Sequence, residues 1–194
     1  MARPREFNEV DAVRVVSRTF WRKGYQATSI RDIEEATGLT AGSIYKAYGS
    51  KRELFLLCLE QYMREDSYLA LLLTMHDKPL DEALRRIFDA IIDSTRENSE
   101  RPAGCLATNL VAELLKVDPE LGEGASAGLA EMQKALRLRF QSAQECGDLE
   151  MDCDTLALGA YFMMVIQGML VVSTSTKDVA AMKLARDIAL STLH

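Results

Sequence analysis

Thr28-Ser29-Ile30-Arg31-Asp32-Ile33-Glu34-Glu35-Ala36-Thr37-Gly38-Leu39-Thr40-Ala41-Gly42-Ser43-Ile44-Tyr45 is the stretch that decides the fold. It reads as two short helices bent about Gly38. Ser29 and Asp32 form the serine-x-x-acid signature of a capped helix start, and Thr40 stands where it caps a second helix over about 41–46. Ile30, Ile33, Ala36, Leu39 and Ile44 are spaced to hold the pair together. Polar residues crowd the second helix, where DNA bases can be read. The pattern is a helix-turn-helix and points to DNA recognition rather than catalysis.

Helical signals continue on both sides. Val13, Val16 and Phe20, with Trp21 beside them, mark a first helix from about Asn8 to Lys23, and Gly24 suits its end. Ser50 with Glu53 is a second capping box, opening a long helix from Arg52 to about Thr74. Further helices are predicted over Leu80–Asn98, about 103–116, Pro119–Cys146 with interruptions at Gly122, Gly124 and Gly128, about 154–174 and about 177–193. The chain is therefore read as all-α, with about nine helices. A three-helix DNA-binding domain (1–50) is followed by a second helical domain (51–194).

The bulk numbers agree with a globular helical protein. Of 194 residues, 48% are hydrophobic and 27% charged, and only 4 are proline. The net charge of −6 is unevenly spread. Residues 1–64 hold 11 Lys/Arg against 8 Asp/Glu, while 65–194 hold 12 against 21. A basic head on an acidic body binds phosphate with the head while the body repels it. The N-terminus has no apolar stretch behind its basic residues, so a cytoplasmic location is expected. Leu156–Val172 lacks charge and approaches a membrane span in length, but its Gly159, Tyr161, Gln167 and Gly168 favour a helix in a core or subunit interface, with no membrane. Cys58, Cys105, Cys146 and Cys153 show no paired spacing, which argues against zinc and against a disulfide framework.

With one helix before the helix-turn-helix and a capped helix directly after it, residues 8–60 resemble the tetracycline-repressor (TetR) family of bacterial transcription regulators. Phe20, Gly24, Tyr25, Thr28, Ile30, Ile33, Ala36, Gly38, Gly42-Ser43-Ile44-Tyr45, Tyr48 and Ser50-Lys51-Leu54 carry the resemblance. Thr28 and Ser29, at a helix start, are candidates for phosphate contact. Thr40, Ala41, Ser43, Tyr45 and Lys46 are candidates for the DNA groove, with Ser43 open between a base edge and a phosphate. The resemblance implies a phosphate grip at Lys51. Arg3 and Arg5 offer a flexible arm to the backbone or minor groove. One departure stands out: the family commonly has His or Tyr where this chain has Ala47, and Phe where it has Tyr48. That removes a phosphate anchor, whose work passes to Tyr48 or Lys46.

The resemblance further implies a small-molecule inducer bound by the second domain and a homodimer built from the last two helices. Met63, Phe88, Asn109, Tyr161, Met164 and Gln167 are the candidate ligand contacts; each is equally at home in a core or an interface. Cys105, after Gly104 at a helix start, is a candidate redox or electrophile sensor, or else a small packing residue. No cofactor and no metal site is implied. An enzyme is disfavoured, because the chain has only His76 and His194, no glycine-rich phosphate loop and no nucleophile elbow. Cys105 is the only opening to cysteine-dependent catalysis. An architectural DNA protein is disfavoured by the acidic body. The reading is a dimeric, ligand-responsive DNA-binding regulator, a repressor released from a palindromic operator (double-stranded DNA) by its inducer.

Overall fold

Side-chain caps fix where the head's helices begin. In the computed structural model, which describes residues 9–97, 99 and 101–193, α1 spans Glu9–Lys23, α2 Ile30–Thr37 and α3 Ala41–Tyr48. Ser29 Oγ accepts from Asp32 N, and the Asp32 carboxylate accepts from Ser29 N at 2.7 Å, a closed capping box. Gly38 ends α2 with φ 74°, a left-handed conformation that favours glycine. Thr40 Oγ1 accepts from Ser43 N and starts α3. Arg3 and Arg5, with the expected helix start at Asn8, lie outside the described residues.

Ser50 caps α4 (Lys51–Gln61) by accepting from Glu53 N. The helix expected to run on to Thr74 does not continue. It widens into a π-helical turn at Tyr62–Asp66, and Ser67 is extended, with φ −74° and ψ 160°. Ser67 Oγ donates to Met63 O and accepts from Ala70 N, so one serine ends the wide turn and caps α5 (Tyr68–Thr74). Then come α6 (Leu80–Asp93), α7 (Leu106–Leu114), α8 (Pro119–Cys146), α9 (Thr155–Thr174) and α10 (Val179–Ser191). The described residues contain no strand.

Unlike the interrupted helix read from its glycines, α8 is continuous. Gly122 is instead where α7 and α8 meet. A Cβ there would lie 2.6 Å from Leu115 Cα, so the missing side chain permits backbone contact. α7 starts later than expected because Gly104, at φ 81°, turns the chain just before it.

One buried core runs from head to body. Phe20 of α1 meets Phe55 of α4 edge-on at 5.0 Å, and Trp21 meets Tyr62 at 4.9 Å. In the body, Phe162 of α9 lies between Phe140 of α8 at 5.2 Å and Phe88 of α6 at 6.1 Å. α9 is 20 residues long and apolar enough to cross a membrane, yet only 33% of its most apolar window is buried. Leu156, Met164 and Val171 of α9 and Leu184 and Ile188 of α10 stand exposed.

Candidate nucleic-acid interface and effector region

The candidate reading surface is built on Ile44. Its side chain is buried with Ile33, which turns Gly42, Ser43, Tyr45, Lys46 and Ala47 outward. Tyr45 is 48% exposed, so its ring and phenol are open to a partner. The Thr40 and Ser43 hydroxyls lie 3.0 Å apart at the helix start. Two amides there are already taken: Glu34 accepts from Ala41 N at 2.6 Å and Thr40 from Ser43 N at 3.3 Å. The face therefore offers hydroxyls, a phenol, an ammonium and the methyls of Ala41 and Ala47. Those groups suit base edges, thymine methyls and phosphates.

The flanking candidates differ from one another. Ser29 is exposed, with its hydroxyl donating to Asp32 at 2.8 Å. Thr28 needs correction as a phosphate ligand: its side chain is fully buried and its hydroxyl donates to Gly24 O at 2.6 Å. Thr28 braces the turn between α1 and α2. Lys51 is half-buried, with Nζ 4.5 Å from the Tyr25 ring centroid. Burial draws its ammonium below the ordinary lysine value, opposed by the carboxylates of Glu113 and Asp32. Tyr48 is half-buried against the core beside the exposed Ala47.

The body holds the head, and the start of the helix that follows it, at two places that the sequence did not announce. Glu113 of α7 accepts from Tyr25 N at 3.1 Å and from Gln26 N at 2.7 Å. Arg52 at the start of α4 pairs with Glu120 at 2.7 Å and Asp118 at 3.7 Å, at the start of α8. A single acid in the apolar run Leu110-Val111-Ala112-Glu113-Leu114-Leu115 was the available signal for Glu113. Its partners are backbone groups 87 and 88 residues away.

The proposed ligand contacts scatter. Met63 and Gln167 line a cavity of about 20 Å³ whose wall includes Cys105, Gly128 and Met132. That holds about one water. Gln167 accepts there from the Thr108 hydroxyl at 2.9 Å. Phe88 is sealed among core rings; Tyr161 and Met164 point outward, 37% and 63% exposed. Asn109 lines a separate, larger groove. Cys105 is the residue before α7 rather than within it, buried, with Sγ 3.0 Å from Tyr62 Oη. Burial, and secondarily Cys105, push the Tyr62 phenol well above its usual value, so it stays protonated. Elsewhere the turn after α8 gathers the carboxylates of Glu150 and Asp152 with the Cys153 thiol within 4.8 Å, all solvent-accessible.

A helix-turn-helix with an outward reading face, gripped by an all-helical body, defines a DNA-binding regulator. Residues 16–58 match the bacterial regulatory proteins of the tetR family, and residues 81–189 match the tetracyclin repressor-like C-terminal domain. The chain belongs to the TetR family of transcriptional regulators, as the order of its helices implied, and is not an enzyme. It is 29% identical over 195 residues to the transcriptional repressor ComR of Escherichia coli K12, covering 99% of this chain and 90% of that protein. Among solved structures, a cysteine-substituted CifR with 26-base-pair operator DNA is 26% identical, with a TM-score of 0.78 over 97% of this chain and 98% of the other. A second cysteine mutant of CifR on operator DNA shares the fold, with a TM-score of 0.81, 24% identity and complete coverage of both chains.

Proposed function

We propose that this chain is a homodimeric repressor whose α3 enters the major groove of a palindromic operator and whose body releases the DNA when an effector binds. The observation that carries this reading is the outward face of α3 above the buried Ile44. Thr40, Ala41, Ser43, Tyr45 and Lys46 supply groove contacts; Ser29, Tyr48 and Lys51 supply phosphate contacts. Lys51 serves by swinging off the Tyr25 ring. Residues 1–50 form the reading head and 51–194 the effector and dimer body. Operator binding of this kind places the protein in the cytoplasm.

Dimerisation through α9 and α10 is supported by their exposed Leu156, Met164, Val171, Leu184 and Ile188, which a second copy would cover by two-fold symmetry. The same pairing accounts for α9 without a membrane. Coupling is supported by α7, whose start carries Cys105 at the cavity wall and whose far end carries Glu113 on the head loop. A small effector that displaces Met63 or Gln167 would move that rod, favouring head spacings that do not fit DNA.

The test is fluorescence anisotropy with the DNA upstream of the chain's own gene. Saturable binding that weakens steeply with salt is expected. No sequence preference at low salt would sink the reading.

Sensing by Cys105 is a second reading, supported by the contact of its thiol with Tyr62 Oη on the cavity wall. An electrophile or oxidant modifying that sulfur would add bulk in a space of one water. If Cys105→Ser leaves DNA release by a quinone unchanged, that reading fails.

A further inference from the structure

Two donor atoms in one place are buried without a hydrogen-bond partner among the described residues, Arg101 Nη1 and Trp21 Nε1, and the Tyr68 phenol lies beside them, within reach of Arg101 and Ser94. They form a cluster. The Arg101 guanidinium carbon lies 4.6 Å from the Tyr68 ring centroid and 5.6 Å from that of Trp21. The Ser94 hydroxyl donates to Ile91 O at 2.7 Å, and its oxygen is left to accept from the Tyr68 phenol. An indole N–H and a guanidinium are obligate donors, so what is missing is an acceptor. Among the described residues no acceptor is found for Arg101 Nη1. Arg101 Nη1 is buried and, among the described residues, no acidic side chain pairs with it, so an anion is the acceptor that best offsets its cost.

Arg101 and Trp21 line a groove of about 610 Å³ at the junction of head and body, within the size range of small-molecule sites. Arg22 and Lys177 add positive charge to its lining, against Glu97, while Arg96 is paired with Asp93 at 2.9 Å. Pro102, Ala103 and the indole supply apolar wall, and Asn109 an amide. This groove is separate from the cavity beside Cys105. We propose that it binds an organic acid, whose carboxylate meets the Arg101 fork and the Trp21 N–H while its carbon skeleton lies along the apolar wall. The planar guanidinium, held over the Tyr68 ring and near the Trp21 ring, offers a fork for a two-point carboxylate contact. Because Trp21 belongs to α1 and Arg101 to the segment leading into α7, the acid ties the head to the body. This last step rests on the regulator reading; the binding itself does not.

Trp21 is the chain's one tryptophan, so its fluorescence reports the site directly. Benzoate is the probe, benzamide its neutral counterpart and inorganic phosphate the simple anion, each titrated to millimolar concentration into the full-length protein and repeated by calorimetry. Saturable benzoate binding is expected, with benzamide silent and phosphate at least about tenfold weaker. Arg101→Gln should weaken benzoate about tenfold or more, and Arg101→Lys should recover part of it. Circular dichroism checks that both variants fold; Trp21→Phe, followed by calorimetry, gives an independent loss. Absence of saturable benzoate binding, equal binding of phosphate, or unchanged affinity in folded Arg101→Gln overturns the site. Benzoate bound without any change in operator affinity overturns the coupling. Failure of the protein to bind operator at all would strike the regulator reading while leaving the fluorescence result standing.

Discussion

The carboxylate of Glu113 on α7 lies 2.7 Å from the backbone nitrogen of Gln26 in the loop that launches α2. It also accepts from the Tyr25 nitrogen at 3.1 Å. One body side chain thus satisfies two consecutive head amides, in a loop whose other side is braced by Thr28 on Gly24 O. Glu113→Ala should cost about 1–3 kcal/mol, because charged hydrogen bonds to backbone donors are lost together. Amide exchange at Tyr25 and Gln26 should quicken more than tenfold. Unchanged exchange in that loop would mean the contact does not hold the head.

Asp32 links acid stability to the reading head. The Lys23 ammonium, then the Ser29 amide and hydroxyl, hold its carboxyl well below the usual carboxylate range. With the folded value depressed, its stabilising effect is complete above the unfolded value of about 3.9 and is lost as pH falls through the folded one. Asp32→Asn should therefore reduce stability at neutral pH and flatten the acid limb below about pH 4. Thermal unfolding across pH checks this; identical acid limbs would contradict it. Ser29→Ala should cost about 0.5–2 kcal/mol through the cap alone.

Gly122→Ala tests the close approach of α7 and α8. The new Cβ would meet backbone at 2.6 Å, so the helices must part. A loss of roughly 1–3 kcal/mol is expected, with a melting temperature lower by about 2–4 °C per kcal/mol. Gly124→Ala, whose nearest neighbour is a side-chain atom at 4.0 Å, is the control and should be neutral or stabilising.

Beside the reading face, Lys51→Ala removes one phosphate contact per protomer, so it should weaken all DNA sequences alike and reduce the slope of log affinity against log salt by about 1.8 for the dimer. Ser43→Ala separates the two readings left open for that hydroxyl. A uniform loss places it on phosphate; a loss confined to some operator variants places it on a base edge.

Met164→Glu with Ile188→Glu places charge on the exposed faces of α9 and α10. Light scattering should find twice the 21.6 kDa chain mass for the parent and a single chain for the double variant. A parent of single-chain mass at micromolar concentration would remove the dimer.

The head was legible because its instructions are local. Ser29 and Asp32, Thr40 and Ser43, and Ser50 and Glu53 are each three residues apart, and Gly38 follows its helix directly. The break at Ser67 carried the same kind of cap, but the apolar run Leu54 to Met63 leads helical periodicity straight through it. α8 misled in the opposite direction: its glycines resemble helix breakers, yet Gly122 is there for a neighbour, which no single-chain pattern reveals. Glu113 and Arg101 act on residues far away in sequence, so their roles appear only once the chain has folded. Phe88 and Met164 show the same limit: helical spacing marks both as apolar-face residues without saying which face meets core and which meets solvent.

The notch at Gly122 also bears on how motion reaches the head. Where α7 touches α8 there it does so backbone to backbone, and such a contact has no rotamers to give way. The grip on the head, Glu113 from α7, and the grip on Arg52 of α4, from Asp118 and Glu120 at the start of α8, therefore sit on one stiff piece. They cannot loosen in turn; the head and the start of α4 are carried or let go together.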